Sequence, residues 1–122
     1  MDMKKKVLLI EDDLLTARAY QKLLENAGLQ VVCALDGHDG LEKSHQGYNC
    51  IILDLALPKL SGWQVLERLK KHDGLKHIPV IICTVLDGED HRKKAAEMGA
   101  HAFVNKFKDN LLEEVKNALE FF

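Results

Sequence analysis

The sequence predicts an α/β protein whose central, parallel, five-stranded sheet carries helices on both faces. Five short apolar runs alternate with amphipathic stretches along the chain, and this alternation is typical of strand–helix units. The runs are apolar at nearly every position, as in strands that are buried on both faces. The length of 122 residues suits one domain. We therefore expect residues 1–122 to form a single three-layer (βα)5 sandwich.

The first half of the chain predicts three strands and two helices. Residues 6–10 form the first apolar run, and residues 14–27 follow with apolar side chains at helical spacing. Gly28 is suited to end this helix, because glycine readily adopts the left-handed conformation found at helix C-termini. The second strand is expected at residues 30–35, the second helix at 38–46 and the third strand at 50–53.

The second half predicts two more strands and three helices. Ser61 is a suitable N-cap for a helix that carries Val65, Leu66 and Leu69. The remaining strands are expected at residues 79–83 and 101–104, and the remaining helices at 88–98 and 109–121.

Strand order decides where a functional site can form. A flavodoxin-like order, 2-1-3-4-5, is the natural candidate for five strand–helix units with right-handed crossovers, although periodicity alone does not fix it. In such a sheet, ligands bind beyond the carboxyl ends of the strands, near the point where the order reverses. The side chains that directly follow each strand are therefore candidates for function.

Carboxylates follow two strands that would be neighbours in this order. Glu11, Asp12 and Asp13 come after the first strand, and Asp54 comes after the third. Carboxylates that crowd together repel one another unless they share protons or a cation. Mg²⁺ prefers hard oxygen ligands and fills its octahedron with water and phosphate oxygens. The sequence therefore predicts Mg²⁺ as the cofactor.

A hydroxyl group and an ammonium group complete the candidate site. Thr84 closes the fourth strand, and Lys106 follows the fifth. Thr84 can donate a hydrogen bond to a phosphoryl oxygen, and Lys106 can neutralise another oxygen as a point charge. Phosphoryl transfer requires this kind of positioning and charge neutralisation. A carboxylate such as Asp54 can accept the phosphoryl group as an acyl phosphate.

Each of these residues also has an ordinary structural explanation. Residues 11–13 could cap the following helix, where acidic groups suit the helix dipole, and Asp54 could form a turn. Thr84 could simply end a strand, and Lys106 could be a solvated surface lysine. Their joint position at four strand ends favours the functional interpretation.

These segments resemble the CheY-like receiver domain of two-component response regulators over essentially the whole chain. The resemblance rests on the order and spacing of residues 7–13, of residues 51–58 with Gly62, of residues 79–84, and of Gly99 and Ala100 followed by Phe103 and Lys106. It implies that Asp54 is the phosphoacceptor and that Mg²⁺ assists the transfer.

The resemblance also implies how the ion would be held. Asp12 would bind Mg²⁺ directly and Glu11 would act through water. The backbone carbonyl of Ala56 would be the remaining protein ligand, next to Asp54 itself. Asp13 occupies a third acidic position that is less central in the family.

A signalling switch, not a turnover enzyme, is the activity that the resemblance implies. A histidine kinase or a histidine phosphotransfer protein would donate the phosphoryl group from a phosphohistidine. The added charge of about −1.5 to −2 would draw Thr84 and Lys106 inward, and Phe103 would fill the space left by Thr84. This movement would reshape the face of the fourth helix, fifth strand and fifth helix for an output partner. Ordinary core packing is the alternative for Phe103.

Three positions depart from the family pattern. Phe107 follows Lys106 where the family usually has a proline after a cis peptide bond. A cis bond before a non-proline residue costs about 2.5–4 kcal/mol, so we expect a trans peptide and an altered loop. Val85 replaces a small residue and is expected to hinder water and slow the loss of phosphate. Ala56 is small and is expected to leave the site open.

Composition argues against several other classes of protein. Seventeen basic and nineteen acidic side chains give a net charge of −2, which argues against sequence-independent nucleic-acid binding. The apolar runs are too short for a membrane span or a signal peptide, so we expect a cytoplasmic protein. Cys33, Cys50 and Cys83 lack the spacing of a metal site, and we expect reduced thiols.

Two functional alternatives remain open. A pseudo-receiver would bind partners without being phosphorylated; the Lys106–Phe107 junction supports it and the acidic set opposes it. A flavodoxin-like cofactor binder or small hydrolase would need a phosphate-cradling loop after the first strand, where this chain has acidic residues instead. The sequence does not decide between a stand-alone regulator and a module of a larger DNA-binding regulator or hybrid kinase.

Overall fold

The computed structural model describes residues 4–106 and 108–120. The strands are β1 (Lys6–Ile10), β2 (Gln30–Ala34), β3 (Cys50–Leu53), β4 (Val80–Thr84) and β5 (Ala102–Asn105). The helices are α1 (Leu14–Asn26), α2 (Gly37–Lys43), α3 (Gly62–Lys71), α4 (Glu89–Glu97) and α5 (Leu111–Ala118). The strand order is β2-β1-β3-β4-β5, so the predicted flavodoxin-like α/β fold is confirmed.

Every strand pair in the sheet is parallel, so the carboxyl ends of the strands share one edge. Ile10 lies opposite Leu53 at the ends of β1 and β3. Thr84 lies opposite Asn105 at the ends of β4 and β5. The residues that follow these strands therefore emerge side by side.

Two apolar clusters fill the space on either side of the sheet. Leu8 and Ile51 belong to the cluster beneath α2, α3 and α4, whereas their neighbours Leu9 and Ile52 belong to the cluster beneath α1 and α5. These four side chains are at most 2% exposed, and each such burial stabilises the fold by roughly 1.5–3 kcal/mol. Strands with an apolar residue at every position form the middle layer because both of their faces are covered.

Several predicted boundaries were wrong. The second helix was expected at residues 38–46, but α2 ends at Lys43 and a 3-10 turn follows over Ser44–Gln46. There the Ser44 hydroxyl donates to the Leu41 carbonyl at 2.5 Å, and Gly47 then takes a left-handed conformation. The last helix was expected from residue 109 but begins at Leu111, because the Asn110 side chain caps it.

The remaining shifts are small. The strands expected at 79–83 and 101–104 each lie one residue later, because their ladder extends to the pair Thr84–Asn105. The second strand ends one residue earlier than expected and the fourth helix is one residue shorter at each end. The first helix ends at Asn26, with Gly28 in the left-handed region just beyond it. The predicted end of the last helix at residue 121 and the expected trans peptide at Phe107 lie outside the described residues.

Candidate functional site

A cavity of about 400 Å³ opens at the carboxyl edge of the sheet. Its wall is formed by residues from the ends of β1, β3, β4 and β5 and from the first two turns of α1. These residues are Glu11, Asp12, Asp13, Thr16, Tyr20, Asp54, Ala56, Val85 and Lys106. The cavity therefore contains most of the residues that the sequence predicted to act together.

Glu11 and Asp54 are held at neighbouring positions by hydrogen bonds that continue past the strand ends. The amide of Glu11 donates to the carbonyl of Ala34 at 3.0 Å, and the amide of Asp54 donates to the carbonyl of Ile10 at 3.1 Å. Glu11 is 2% exposed and Asp54 5% exposed. Both carboxylates are thus fixed at the floor of the cavity by backbone contacts.

Close packing of α3 fixes the backbone behind Asp54. A Cβ atom on Gly62 would lie 2.1 Å from the Asp54 carbonyl oxygen and 2.5 Å from Cα of Leu55. Only glycine permits this approach, since such contacts would force the backbone apart. As predicted, Ser61 is the N-cap of α3, and it forms a capping box with Gln64.

One ammonium group joins the two buried carboxylates. Lys106 Nζ lies 2.8 Å from Asp54 Oδ2 and also contacts Glu11 Oε1. The other oxygen of Asp54, Oδ1, accepts a hydrogen bond from the amide of Ala56 at 3.1 Å. Both oxygens of the candidate phosphoacceptor are therefore oriented by donors.

The electrostatic environment differs between the partners of this cluster. Burial raises the pKa of Glu11, although its hydrogen bond with Lys106 acts in the opposite direction. For Lys106, burial alone would lower the pKa, but hydrogen bonds with Asp54 and Glu11 outweigh it and raise the pKa. The hydrogen bonds outweigh burial at Lys106 because this residue has two anionic partners. Burial dominates at Glu11, which also lies beside the second carboxylate, that of Asp54. We conclude that the lysine stays charged and that the carboxylates are crowded.

The donor set fits a divalent cation. Glu11, Asp12 and Asp54 each place a carboxylate oxygen within 4.8 Å of the other two. Asp12 is exposed at the mouth of the cavity while the other two are buried. One ammonium group does not balance three carboxylates, and hard oxygen donors at this spacing match the preference of Mg²⁺.

The acidic residues that follow β1 do not all have the same role. Asp13 caps α1, because its Oδ2 accepts hydrogen bonds from the amide of Thr16 at 3.1 Å and from the Thr16 hydroxyl. These bonds lower the pKa of the exposed Asp13 carboxyl. Oε2 of Glu11 instead accepts a hydrogen bond from the amide of Asp13, at 3.2 Å. The other oxygen of Glu11 contacts Lys106. The capping explanation therefore applies to Asp13.

Thr84 and Phe103 are absent from the part of the cavity wall that the structure describes. Thr84 is completely buried, and its Oγ1 accepts the amide of Leu86 at 3.3 Å. Among the described residues, Thr84 is not part of the cavity wall, but its carbonyl accepts the amide of Lys106 at 3.0 Å. Phe103 is half-buried on β5, and the Arg92 guanidinium lies 4.9 Å from the centre of its ring.

Arg92 also ties α4 to the loop that carries Lys106. Its Nη2 lies 2.9 Å from Asp109 Oδ2, and the same oxygen accepts the amide of Asn105 at 2.9 Å. These two hydrogen bonds, that of the Asn105 amide first, lower the pKa of Asp109. Asp87 extends the network through Lys108, at 3.2 Å. The loop after β5 is thus anchored by charged side chains.

Tyr20 also lines the cavity, although it was not among the candidate residues that the sequence predicted. The signal that could have found it is helical spacing, because Tyr20 follows Asp13 by seven residues, or about two turns. Residues at that spacing share one face of a helix. Val85, singled out only as a departure from the family, also lines the cavity.

The cysteines and the helices bear on two further expectations, reduced thiols and the lack of a membrane-spanning helix. Cys50 and Cys83 are buried, Cys33 is half-buried, and all three are free thiols. Within residues 4–106 and 108–120, no helix has both the length and the apolar character needed to cross a membrane.

Comparison of the sequence with known families gives one match over most of the chain. Residues 7–116 match the family model of the response regulator receiver domain. The transcriptional regulatory protein CrdR of Helicobacter pylori is 32% identical over 121 residues, which cover 98% of this chain and 55% of CrdR. The chain spans about half the length of the first curated relatives it matches.

Solved structures show the same architecture. A CheY-like receiver domain protein of Methanospirillum hungatei is 26% identical, with a TM-score of 0.87 over 97% of this chain and 95% of that one. The Mn²⁺-bound form of the response regulator Rcp1 is 29% identical, with a TM-score of 0.77 over 95% of this chain and 90% of that one.

Proposed function

Because this chain belongs to the response regulator receiver domain family of two-component systems, we propose that it accepts a phosphoryl group on Asp54 in a Mg²⁺-dependent reaction. The observation that carries the proposal is the convergence of Glu11, Asp12 and Lys106 on Asp54. This combination supplies an acceptor, a place for a divalent ion and a cation for a phosphoryl oxygen.

The donor that we propose is a phosphohistidine of a histidine kinase or histidine phosphotransfer protein. An oxygen of Asp54 forms a bond to phosphorus while the phosphorus–nitrogen bond of the donor breaks. The leaving imidazole nitrogen takes up a proton from solvent. Water later attacks phosphorus, releases inorganic phosphate and restores the Asp54 carboxylate.

The ion is assigned to the acidic cluster. Receiver domains bind Mg²⁺ at an acidic pocket, and we assign Glu11, Asp12, Asp54 and the carbonyl of Ala56 as the residues that hold it here. The bound ion would neutralise the charge that develops on the phosphoryl oxygens. The Mn²⁺-bound form of Rcp1 and the spacing of the three carboxylates support this assignment.

Lys106 and Thr84 complete the reaction site in this proposal. The Lys106 ammonium, 2.8 Å from Asp54 Oδ2, binds an oxygen of the incoming phosphoryl group once Asp54 is modified. The Thr84 hydroxyl is held by a hydrogen bond of 3.3 Å, which is long and weak, so its rotation toward the phosphoryl group costs little. Phe103 then moves into the vacated space and reshapes the face of α4, β5 and α5.

We further propose that residues 1–122 form one cytoplasmic receiver domain that signals through protein contacts. Receiver domains are generally not turnover enzymes, and we propose that this one resets its own Asp54 slowly. The output partner would recognise the face of α4, β5 and α5. The net charge of −2 supports the absence of direct nucleic-acid binding by this domain.

The test is incubation with acetyl phosphate, with and without Mg²⁺, followed by mass spectrometry of the intact protein. The wild type should gain one phosphoryl group when Mg²⁺ is present, and Asp54→Ala should gain none. Asp73→Ala is a matched control, because the Asp73 side chain is 95% exposed and lies outside the cavity wall. If wild type and Asp54→Ala behave alike, the chain is a pseudo-receiver and the proposal is wrong.

A further inference from the structure

Tyr20 is a residue of the cavity wall to which the proposed reaction gives no task. Its phenol group shares the 400 Å³ cavity with Asp54, Glu11 and Lys106. The ring packs against the apolar cluster beneath α1 and α5, so its position is fixed from behind. A large, rigid side chain that carries a hydroxyl group thus borders the region where the phosphoryl group would form.

The thiol of Cys83, the residue before Thr84, is a close neighbour of this hydroxyl. Burial and the nearby thiol raise the pKa of Tyr20, and the charges of Glu11 and Asp54 raise it further. Tyr20 therefore stays protonated at neutral pH and remains a hydrogen-bond donor.

The Cys83 thiol competes only weakly for this hydroxyl. Sulfur is a weak acceptor, and a buried thiol behaves mainly as a small apolar group. Phosphoryl oxygens are strong, charged acceptors, and hydrogen bonds to charged groups contribute more than those between neutral groups. The other hydroxyl of the wall, on Thr16, already donates to the Asp13 carboxylate.

We propose that Tyr20 is a further phosphoryl-binding residue, whose hydroxyl donates to a phosphoryl oxygen on Asp54, directly or through one water molecule. The inference rests on the proposed function and deepens it by adding a donor from α1. The phosphoryl group would then be held by contacts from both sides of the sheet edge.

Fluorine NMR on protein labelled with 3-fluorotyrosine tests the contact itself. The chain has two tyrosines, and Tyr48 is a built-in control. Lys6, at the start of β1, lies over its ring, so Tyr48 is at the opposite edge of the sheet. Addition of beryllofluoride with Mg²⁺ should shift the Tyr20 resonance and leave that of Tyr48 unchanged. Tyr20→Phe and Tyr48→Phe assign the two signals.

A kinetic comparison tests what the hydroxyl contributes. Tyr20→Phe keeps the ring and removes the oxygen. It should slow phosphorylation by acetyl phosphate about tenfold, the effect expected when a hydrogen bond to a charged group is lost. Tyr48→Phe should match the wild type. Mg²⁺ affinity, measured by calorimetry, should be equal in the three proteins, because Tyr20 is not assigned to the ion.

The outcomes separate this inference from the proposed function. The fluorine spectrum also reports bound beryllofluoride, so binding at Asp54 is observed in the same sample. If beryllofluoride binds while the Tyr20 resonance stays in place, or if Tyr20→Phe is phosphorylated at the wild-type rate, the inference is overturned and the proposed function stands. If no beryllofluoride binds in the presence of Mg²⁺, both are wrong.

Discussion

Nζ of Lys106 lies 2.8 Å from Oδ2 of Asp54, although 52 residues separate the two in the sequence. The same ammonium group contacts Glu11, so one cation holds carboxylates from the ends of β1 and β3 together. Its side chain is only 11% exposed. Lys106 therefore holds these two buried carboxylates side by side.

Removal of this cation should make the metal-free protein less stable. In Lys106→Met two buried carboxylates lose their partner, and the variant should lose about 1–3 kcal/mol of unfolding free energy, less than for a fully enclosed pair. Mg²⁺ should stabilise the variant more than the wild type, because it relieves the same repulsion. Urea unfolding with and without Mg²⁺ measures both effects.

Lys108→Met is the matched control for that experiment. Lys108 is 70% exposed and pairs with Asp87 at the surface, so its loss should cost less than about 1 kcal/mol. Equal stability of Lys106→Met and wild type without Mg²⁺ would mean that the lysine does not stabilise the cluster.

Glu11 should give the metal-free protein a specific pH dependence. Burial raises its pKa above the ordinary value of 4.5, so the folded state binds the proton more tightly than the unfolded state. This contribution to stability is complete below the unfolded pKa and is lost as pH rises through the folded pKa. In Glu11→Gln the unfolding free energy should fall less steeply over this pH range. Urea unfolding at several pH values measures it.

The exposed Glu97 on α4 provides the comparison. Glu97→Gln should keep the wild-type pH profile, since this side chain is outside the cluster. A Glu11→Gln profile parallel to that of the wild type would show that Glu11 does not titrate in this way.

The contact between Arg92 and Asp109 should stabilise the loop after β5. The two side chains are about one third exposed, so a double-mutant cycle with Arg92→Ala and Asp109→Asn should give a coupling of about 0.5–1 kcal/mol. Hydrogen exchange of the Asn105 amide, which donates to Asp109, should accelerate in Asp109→Asn. Lys93→Ala, on an exposed neighbour in α4, should change neither quantity.

Val85 should control the access of water to a phosphorylated Asp54. Val85 lines the cavity and is 47% exposed. Val85→Ala should shorten the phosphorylated lifetime on the order of threefold, which corresponds to less than about 1 kcal/mol in the barrier. Ala56→Val should act in the opposite direction by narrowing the mouth. Leu15→Ala removes a more exposed apolar side chain outside the cavity wall and should leave the lifetime unchanged.

Gly62 should tolerate no side chain. In Gly62→Ala the new Cβ would lie 2.1 Å from the Asp54 carbonyl oxygen, so α3 or the backbone of Asp54 must shift. We expect a loss of about 1–3 kcal/mol or more in unfolding free energy, together with slower phosphorylation. Gly74→Ala is the control, because its nearest contacts belong to the side chain of His72, at 3.2 Å. Similar stability of the two variants would contradict the close packing.

The fold could be predicted because the strands of this sheet are covered on both faces. A run such as residues 50–53 is apolar throughout, and such runs alternate with helices in only a few arrangements. The strand ends were less predictable, since they depend on pairing across the sheet. Thr84 belongs to β4 because Asn105 lies opposite it, and no local pattern in residues 79–84 contains that information.

The candidate site was predictable where its residues directly follow strands in the sequence. The positions of Glu11, Asp54 and Lys106 follow from strand order alone. Tyr20 was not predictable in this way, because its entry into the cavity depends on how α1 lies across the sheet. The sequence also did not show which of Asp12 and Asp13 caps α1, since either carboxylate could have done so.

The contact between Glu11 and Lys106 spans 95 residues, and this distance has a consequence for biosynthesis. A ribosome makes the acidic segments first and the lysine much later, so the growing chain carries these anions without the cation that unites them until residue 106 has been added. Because domains generally fold as units, the assembled cluster is a mark of completed folding. A chain halted before residue 106 would lack it.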